Sequence, residues 1–372
     1  MKIIRYQQDH VSAVKEFNRR LRAGGIHFQF PESPIPNWLP PVEGHRIFQE
    51  MFVAVEDSGV VRGGYILKHQ EFVLNGERVD IGNYQLPLSE GVIDNAYNQL
   101  GLLLLQDALR RNPMLYALGM GGVGRPLPKL LSAFGWRVEL VPFAFKVCRS
   151  ARFFRNITYL RNTTVRKLLC DLAAFTGTGY LAINVMQALH ASGSPAPTDD
   201  TVAASFDNNC DTLWDLCKGA YSLSAVRDRA TLSILYPESD ERFIRLIVRG
   251  RSCADSAPLG WAVMLDTTMA GHKQFGDMRV GTIVDCLAAP GHEKSVIAAA
   301  TLHLGNRGVD IILSNQSHLA WIEALRSYGY LSGPSNFALA TSPALTSRLT
   351  EIDPAFSRLH FNRGDGDGPI HL

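Results

Sequence analysis

Two segments place polar, proton-transferring side chains at the ends of apolar strands. The segment NYQLPLSEGVID contains Tyr84 and Glu90, and GTIVDCLAA places Asp285 between apolar neighbours. A carboxylate inside an apolar strand is costly to bury unless it is paired, and perturbed carboxylates often serve as general bases. We therefore take Tyr84, Glu90 and Asp285 as candidate catalytic residues, with a carboxylate removing the proton of an amine or hydroxyl nucleophile.

Each of these polar segments also has a purely structural interpretation. Ser89 or Asp94 would accept backbone N–H bonds as a helix cap, which makes the stretch around Glu90 a capping turn. Asp285 would equally belong to a buried ion pair. Both interpretations stay open at this stage.

The glycine-rich segment GMGGVG, residues 119–124, matches G-x-G-x-x-G after an apolar strand, a pattern typical of dinucleotide binding. Pro126 and Pro128 are expected to interrupt the helix that such a site needs. We therefore favour a flexible backbone beside an acceptor cleft. The acidic turn at residues 365–368 lacks the spaced ligands of a calcium loop, so it predicts a terminal turn.

Histidines beside the second half's helices offer weaker candidates. His292 and His318 flank a predicted cleft and can titrate near neutral pH, although loop histidines are usually solvated.

The composition is that of a folded protein without a nucleic-acid surface. Hydrophobic residues make up 46% and charged residues 19% of the 372 residues, and 37 basic and 35 acidic side chains are mixed along the chain. This balance gives no electrostatic footprint for nucleic acid. The length predicts two or three domains.

The cysteines and the apolar segments carry no sign of a metal or a membrane span. Six cysteines lack CxxC pairs and histidine companions, so we expect reduced thiols, mostly in the core, and no metal; they are Cys148, Cys170, Cys210, Cys217, Cys253 and Cys286. The N-terminus MKIIRYQQDH lacks the apolar region of a secretory signal, which predicts a cytoplasmic protein. Residues 168–189 approach span length, but Asp171 and other polar residues favour a buried or inter-domain helical segment.

The elements that must position the candidates occur twice in the same order. The first half predicts a strand, a helix and an antiparallel meander over residues 51–88, followed by helix, strand, helix and a strand at 137–147. The second half repeats this order, with a helix at 213–228. The Ser/Pro-rich stretch SGSPAPTDD, residues 192–200, predicts a linker or exposed loop between the halves.

This repetition predicts an α/β protein with two comparable domains. We expect an N-terminal domain at 1–155, a helical connector and linker at 156–200, a C-terminal domain at 201–350, and a C-terminal strand and tail at 351–372.

The segment VDIILSNQSHLAWIEALRSYGY, residues 309–330, resembles the late strand and helix of the GNAT N-acyltransferase superfamily. The matching positions are Asn315, Ala320, Gly329 and Tyr330. AVRDRATLSILY and LHFNRGDGDG also look like segments of tandem GNAT-like proteins found with bacterial surface-polysaccharide genes. The resemblance implies tandem GNAT-like domains, each a mostly antiparallel splayed sheet flanked by helices.

The resemblance further implies acyl-CoA, such as acetyl-CoA, as the donor. In that fold the pantetheine lies in the gap beside the fourth strand, and the pyrophosphate meets N–H groups at the start of the next helix. The corresponding cofactor-binding residues are Asn98, Gln99 and Gly101 in the first half and Gly291, Lys294, Ser295 and Asn315 in the second. The family's glycine pattern is incomplete in both halves, and Leu131 and Leu325 stand where many members have a tyrosine that protonates the thiolate.

The resulting hypothesis is an acyl-CoA-dependent acyltransferase acting on a small-molecule acceptor. An envelope-polysaccharide precursor is suggested by the resemblance alone. Two alternatives stay open: a Fem-like aminoacyl transferase using aminoacyl-tRNA, which the balanced charge does not favour, and a non-catalytic GNAT-like binding protein, which the incomplete phosphate loops favour. Neither a nucleic-acid partner nor a membrane span is expected.

Overall fold

The computed structural model describes residues 1–192, 198–251 and 258–366. Its strands are β1 Lys2–Arg5, β2 Phe48–Val55, β3 Val61–Leu74, β4 Glu77–Ser89, β5 Leu115–Leu118, β6 Arg137–Leu140, β7 Phe143–Val147, β8 Thr198–Ala203, β9 Leu223–Ala225, β10 Ile244–Gly250, β11 Gly260–Thr268, β12 Arg279–Ala288, β13 Ile311–Asn315, β14 Leu331–Gly333, β15 Ala338–Thr341 and β16 Leu359–His360. Its α-helices are α1 Val11–Ala23, α2 Leu100–Arg111, α3 Pro126–Ala133, α4 Ser150–Asn156, α5 Thr164–Thr176, α6 Thr178–His190, α7 Asn209–Cys217, α8 Arg229–Leu235, α9 Glu293–Asn306, α10 Leu319–Ser327 and α11 Pro343–Ile352.

The chain forms two compact units whose boundaries differ from the expected ones. Unit 1 comprises Met1–Leu140 and Ala338–Ala355, and unit 2 comprises Val141–Phe337 and the chain from Phe356 onward. The strand expected at 137–147 is two strands, β6 in unit 1 and β7 in unit 2, separated by Val141 and Pro142. Proline has no N–H to give to a ladder, so a continuous strand is unfavourable there.

Unit 1 is a mixed sheet in the order β1-β2-β3-β4-β5-β15-β6. Its neighbours are antiparallel except for β4 and β5, which are parallel. Helix α1 buries Val14, Phe17 and Leu21, which recur at helical spacing, against Met51 and Val53 on one face. Helix α2 packs its leucines against the other face.

Unit 2 has the same strand order, position by position: β8-β10-β11-β12-β13-β7-β14. Again one pair, β12 and β13, is parallel, and the others are antiparallel. The sixth position of each sheet is held by β15 in unit 1 and β7 in unit 2. Along the chain, β7 of unit 2 directly follows β6 of unit 1, and β15 of unit 1 directly follows β14 of unit 2. The two units therefore exchange their sixth strands. The predicted fold class, an α/β protein with two mixed sheets flanked by helices, is confirmed.

Two local expectations in the second half are wrong. The helix expected at 213–228 ends at Cys217 and is followed by a 3-10 turn and β9. Asp228 does not end a helix but caps the next one, α8, by accepting the N–H of Thr231 at 2.9 Å. Part of the expected linker, Thr198–Asp200, begins β8 and pairs with β10. Residues 193–197 lie outside the described part of the chain.

The helical segment at 168–189 is not buried. It forms α5 and α6, bent by 86° at Gly177, which adopts a φ of +76°. Leu168 is 70% exposed and Leu189 79% exposed. Among the described residues, no single helix has the length and apolar character to cross a membrane, and only the bent α5–α6 pair meets both criteria together.

The five cysteines in the described ranges are free thiols, and all but Cys148 are buried. Cys253 lies outside those ranges.

Ser342, directly after the exchanged strand β15, connects this part of the chain to the start of β5 in unit 1. The Ser342 hydroxyl donates to the carbonyl of Pro113 at 2.7 Å and accepts the N–H of Leu115 at 3.1 Å while capping α11. Replacing Ser342 by alanine leaves the buried N–H of Leu115 without this acceptor and removes the helix cap, so we expect the unfolding free energy to fall by about 1–3 kcal/mol. Chemical denaturation measures this, with the exposed Ser347→Ala on the same helix as the control. Equal stabilities would contradict this role of the serine.

Candidate functional site

The parallel strands of unit 1 separate partway along their length. Strand β4 pairs with β5 only at Gly82↔Leu115 and Asn83↔Tyr116, yet it continues to Ser89 beside β3. A bulge lies just past this point, because one residue more of β4 than of β3 stands between the Ile66↔Gln85 and Gly64↔Leu88 pairs. Leu86 in the bulge has a φ of +44°, a left-handed conformation that is unfavourable for leucine.

Unit 2 has the same opening. Pairing of β12 with β13 ends at Ile283↔Ser314, while β12 continues to Ala288 beside β11. A bulge at Val284 again marks the parting point, between Met264↔Ile283 and Val263↔Asp285. Both sheets are therefore splayed at the position where the GNAT resemblance places the pantetheine arm of acyl-CoA. Bulges redirect a strand and often adjoin ligand sites.

The opening of unit 2 is filled by the chain's own C-terminal segment. Asn362 forms an antiparallel bridge with Gln316, and Phe361 accepts the N–H of Ser317 at 3.0 Å on the β13 side. On the β12 side the Asn362 amide donates to Asp285 Oδ1 at 2.6 Å. Residues 361–364 thus connect the two parted strands. These residues therefore occupy the position that the resemblance assigns to the pantetheine arm.

Asp285 lies at the centre of a buried ion cluster. It is 1% exposed, accepts from Arg227 Nε at 2.9 Å and accepts from the Tyr236 hydroxyl at 2.9 Å. Arg227 also donates to both oxygens of Asp365, at 3.0 and 2.9 Å. Burial raises the pKa of Tyr236, so its phenol stays a hydrogen-bond donor. This geometry is the structural ion pair considered above, and it leaves Asp285 remote from solvent.

Asn315 is engaged by the same segment. Its amide donates to the Pro142 carbonyl at 3.2 Å, and its Oδ1 accepts from Arg363 Nε at 3.0 Å. Burial lowers the pKa of Arg363 to about 10. The structure therefore brings Asp285 and Asn315 together only through Asn362 and Arg363, which sequence reasoning did not select.

The phosphate-binding candidates at the start of α9 are in part committed elsewhere. Lys294 Nζ donates to the Ser192 carbonyl, and Ser295 is buried. Gly291 is exposed with a φ of +87°. Glu293 adds a negative charge in the first turn of the helix, where an anionic ligand would be repelled.

The equivalent residues of unit 1 are more open. Asn98 and Gln99 are exposed just before α2, and the first turn of α2 contains no acidic residue. The first N–H groups of a helix lack internal acceptors and favour anions. A Cβ added at Gly101 would meet only Leu130, at 3.8 Å, so its backbone is approachable.

Glu90 anchors the loop that leads into α2. Its carboxylate accepts from Arg20 Nε at 2.7 Å and from Arg62 Nη1 at 3.2 Å, and it is 4% exposed. Ser89 accepts the N–H of Gly91, and Asp94 accepts the N–H of Ala96, so the capping bonds considered above are also present.

Tyr84 lies at the parting point itself. It is buried beside Tyr65, with ring centroids 5.3 Å apart, and its hydroxyl has no hydrogen-bond partner among the described residues. Burial raises the pKa of this phenol, and the Asp107 carboxylate adds to the effect. Tyr84 is therefore a donor, not a base, at neutral pH.

A buried polar row that sequence reasoning missed crosses unit 1 on the sheet face opposite to the Tyr84 side chain. Gln49, Lys68 and Asn83 are directly opposed on three adjacent strands and are all buried. Gln49 Nε2 donates to Gln85 Oε1 at 2.5 Å, and Lys68 Nζ lies 5.4 Å from the ring centroid of Trp38. Polar residues spaced by two within otherwise buried strands were the available signal.

The two candidate histidines each lie at the start of a helix. His292 lies at the cap position of α9, and His318 caps α10 by accepting the N–H of Ala320 at 3.2 Å.

The helix α3 begins at Pro126, so the expectation that Pro126 and Pro128 interrupt it is wrong. A proline in the first turn of a helix is tolerated because its N–H would have no partner there. Because β15 separates β5 from β6, the adjacent parallel pair of a dinucleotide-binding crossover is not formed there. Within the described ranges, no group of three or more His, Cys, Asp and Glu side chains is arranged to hold a metal.

The buried cluster of unit 2 yields a stability prediction. Replacing Arg227 by methionine leaves Asp285 and Asp365 buried without their cation, so we expect a loss of about 3–5 kcal/mol of unfolding free energy. Arg229→Met, at an exposed position two residues on, should change it little. Urea titration followed by circular dichroism compares the two proteins. A loss below about 1 kcal/mol for Arg227→Met would show that the cluster does not hold the C-terminal segment.

Comparison with known proteins gives likenesses of fold. No protein-family model matches the chain, and no curated protein matches it. Among solved structures, it resembles a conserved protein of unknown function from Enterococcus faecalis V583 described as a probable N-acyltransferase. The TM-score is 0.52 at 8% identity, covering 94% of this chain and 74% of that one.

A second likeness is to N-myristoyltransferase from Saccharomyces cerevisiae, solved with bound myristoyl-CoA. The TM-score is 0.51 at 9% identity, covering 92% of this chain and 78% of that one. Another structure of the same enzyme gives 0.50 at 10% identity, with 91% and 82% covered. At such identities the likeness concerns the fold alone: this chain shares the fold of these structures over nearly its whole length.

Proposed function

We propose that the protein is an acyl-CoA-dependent N-acyltransferase whose donor site is the opening between β4 and β5 of unit 1. The observation that carries this proposal is the contrast between the units. Both sheets part at a bulge, but in unit 2 residues 361–364 fill the gap, whereas in unit 1 the parted edge leads to a helix start free of acidic residues. The fold likeness to N-acyltransferases supports the same assignment.

The residues of unit 1 suit a pantetheine thioester. The edge of β4 past Asn83 offers backbone N–H and C=O groups to the arm's amides. Asn98, Gln99 and Gly101 would meet the pyrophosphate at the start of α2, where the helix dipole favours an anion. In unit 2, by contrast, Glu293 and the filled gap do not suit this donor.

Transfer in this site is direct. The acceptor's amine attacks the thioester carbonyl, the new C–N bond forms, the C–S bond breaks, and the amine's proton passes to the departing thiolate or to water. Tyr84 is placed at the parting point with an unpartnered hydroxyl, so we assign it as a hydrogen-bond donor toward the reacting carbonyl. Leu131 stands in place of the family's tyrosine, which leaves positioning of the two substrates as the main source of rate.

The acceptor is proposed to be a small polar molecule. The row of Gln49, Lys68 and Asn83 supplies amide and ammonium groups of the kind that bind hydroxyl and carbonyl oxygens. A sugar precursor of an envelope polysaccharide fits this chemistry, and its support is the family resemblance.

A charge placed at the start of α2 tests the donor site. Gly101→Asp adds a negative charge where the pyrophosphate would lie, and the open space at Gly101 accommodates the side chain. We expect acetyl-CoA to bind the native chain and to bind this variant at least about tenfold more weakly, a difference of about 1.4 kcal/mol. Isothermal titration calorimetry measures it.

The neutral Gly101→Asn is the matched control and should bind acetyl-CoA like the native chain. Glu293→Gln in unit 2 should leave binding unchanged. Equal acetyl-CoA affinity of Gly101→Asp and Gly101→Asn would show that the donor's pyrophosphate does not bind at the start of α2. The absence of any acetyl-CoA binding at millimolar concentration would instead favour the non-catalytic alternative, to which the filled opening of unit 2 already points.

The second test separates two roles of Glu90. As the anchor of the loop before α2, Glu90→Gln should lower the unfolding free energy by about 1–3 kcal/mol, because Arg20 and Arg62 lose a charged partner. It should raise KM for acetyl-CoA while changing kcat less than about tenfold. A general base would behave differently, with kcat falling about 100-fold or more and the pH profile losing its acidic limb.

A further inference from the structure

The part of unit 2 formed by residues 149–192 exposes far more apolar surface than a folded domain needs. We call it the α4–α6 lobe, since it contains α4, α5 and α6. The exposed side chains of α5 and α6 include Val165, Leu168, Leu169, Leu172, Phe175, Leu181, Val185, Met186 and Leu189, each 49% or more exposed. An apolar patch of this extent marks an interaction surface.

These residues form stripes at helical spacing. On α5 they recur at positions 165, 168, 169 and 172, and on α6 at 181, 185 and 189. This is the pattern of an amphipathic helix, but here the apolar side faces outward. The opposite side holds the lobe in place: Ile183 lies in the core, and Gln187 Oε1 accepts the N–H of Val147 at 2.9 Å.

The bend presents the most exposed aromatic side chain of the chain's described residues. Phe175, which is 84% exposed, lies in the last turn of α5 before Gly177, where the chain turns by 86°. The helices are thus too sharply bent to cross a bilayer as one straight span, and the exposed Phe175 lies next to the bend.

The charge of the α4–α6 lobe indicates which kind of partner covers its apolar surface. Residues 149–192 contain six basic side chains and one carboxylate, whereas the rest of the chain has 31 basic and 34 acidic side chains. The single carboxylate, Asp171, is paired with Arg161 at 2.6 Å. Arg152, Arg155, Arg166 and Lys167 are exposed.

We propose that the α4–α6 lobe is a peripheral membrane-binding site that inserts its apolar stripes into an anionic lipid bilayer. Apolar side chains next to clustered basic ones are the composition of helices that lie in the membrane interface. The basic residues add attraction to anionic headgroups. This inference is independent of acyltransferase activity, since it rests on a surface of unit 2 outside both sheet openings.

Liposome co-sedimentation of the full chain tests the proposal. The native protein should pellet with vesicles of phosphatidylcholine and phosphatidylglycerol at 3:1 and bind vesicles of phosphatidylcholine alone at least about tenfold more weakly. Raising the salt to about 0.5 M should weaken binding to the anionic vesicles, because it screens the basic residues.

Two variants and a control separate the contributions. The triple variant Leu168→Gln, Leu172→Gln and Phe175→Gln removes apolar surface and should bind anionic vesicles at least about tenfold more weakly. Arg166→Gln with Lys167→Gln should lower the preference for anionic over neutral vesicles. Leu216→Gln, at a leucine 63% exposed on α7 outside the lobe, should bind like the native chain. All positions are exposed, and thermal unfolding checks that each variant folds.

Three results would overturn the proposal. The first is no binding of the native chain to either vesicle. The second is equal binding by the native chain and the triple variant. The third is a native oligomer in size-exclusion chromatography that the triple variant converts to monomer, without lipid binding by either protein, since the stripes would then be covered by a second copy of the chain.

Discussion

Separated parallel strands leave two inner edges of backbone N–H and C=O groups without ladder partners, and buried groups of this kind are rarely left unpaired. Both sheets of this protein meet that constraint, because each parts at a bulge in its fourth strand of the order. Unit 2 satisfies it with residues 361–364 of its own chain. In unit 1 the β4–β5 pairing ends in the same way next to an uncharged helix start, which is why we propose the donor site there.

The filling of unit 2 depends on a buried arginine. Arg227 holds Asp285 on β12 and Asp365 at the end of the C-terminal segment, so one cation fixes both sides of the closed gap. Burying three charges is expensive, and in some proteins a buried ion cluster contributes specificity and not stability. Here the specificity lies in the register of residues 361–364, since Asn362 reaches Asp285 and Arg363 reaches Asn315 only in this alignment.

Local signals made much of the fold predictable. The meander at 51–88, the helices α2, α9 and α10 and the strand β13 were predicted from local sequence patterns, and the splayed sheets followed from the GNAT resemblance. The exchange of β7 and β15 could not be foreseen, because a strand's partners depend on pairing between residues far apart in sequence, and Pro142 gave the only local hint. Glu90 and Asp285 stand out in the sequence as carboxylates among apolar residues, but their partners could not be foreseen, because Arg20, Arg62 and Arg227 lie 70, 28 and 58 residues away.

The segment at 168–189 shows a different limit. Hydrophobic periodicity says which side of a helix avoids water, but it does not say whether protein, lipid or another chain replaces the water. Polar residues such as Asp171 favoured a buried or inter-domain helical segment, but the helices are not buried, since Leu168 is 70% and Leu189 79% exposed. The neighbouring charges indicate the surroundings better than the apolar pattern does. Residues 149–192 contain six basic side chains and one carboxylate, a composition that is unfavourable in a protein core and typical of helices that lie on anionic headgroups.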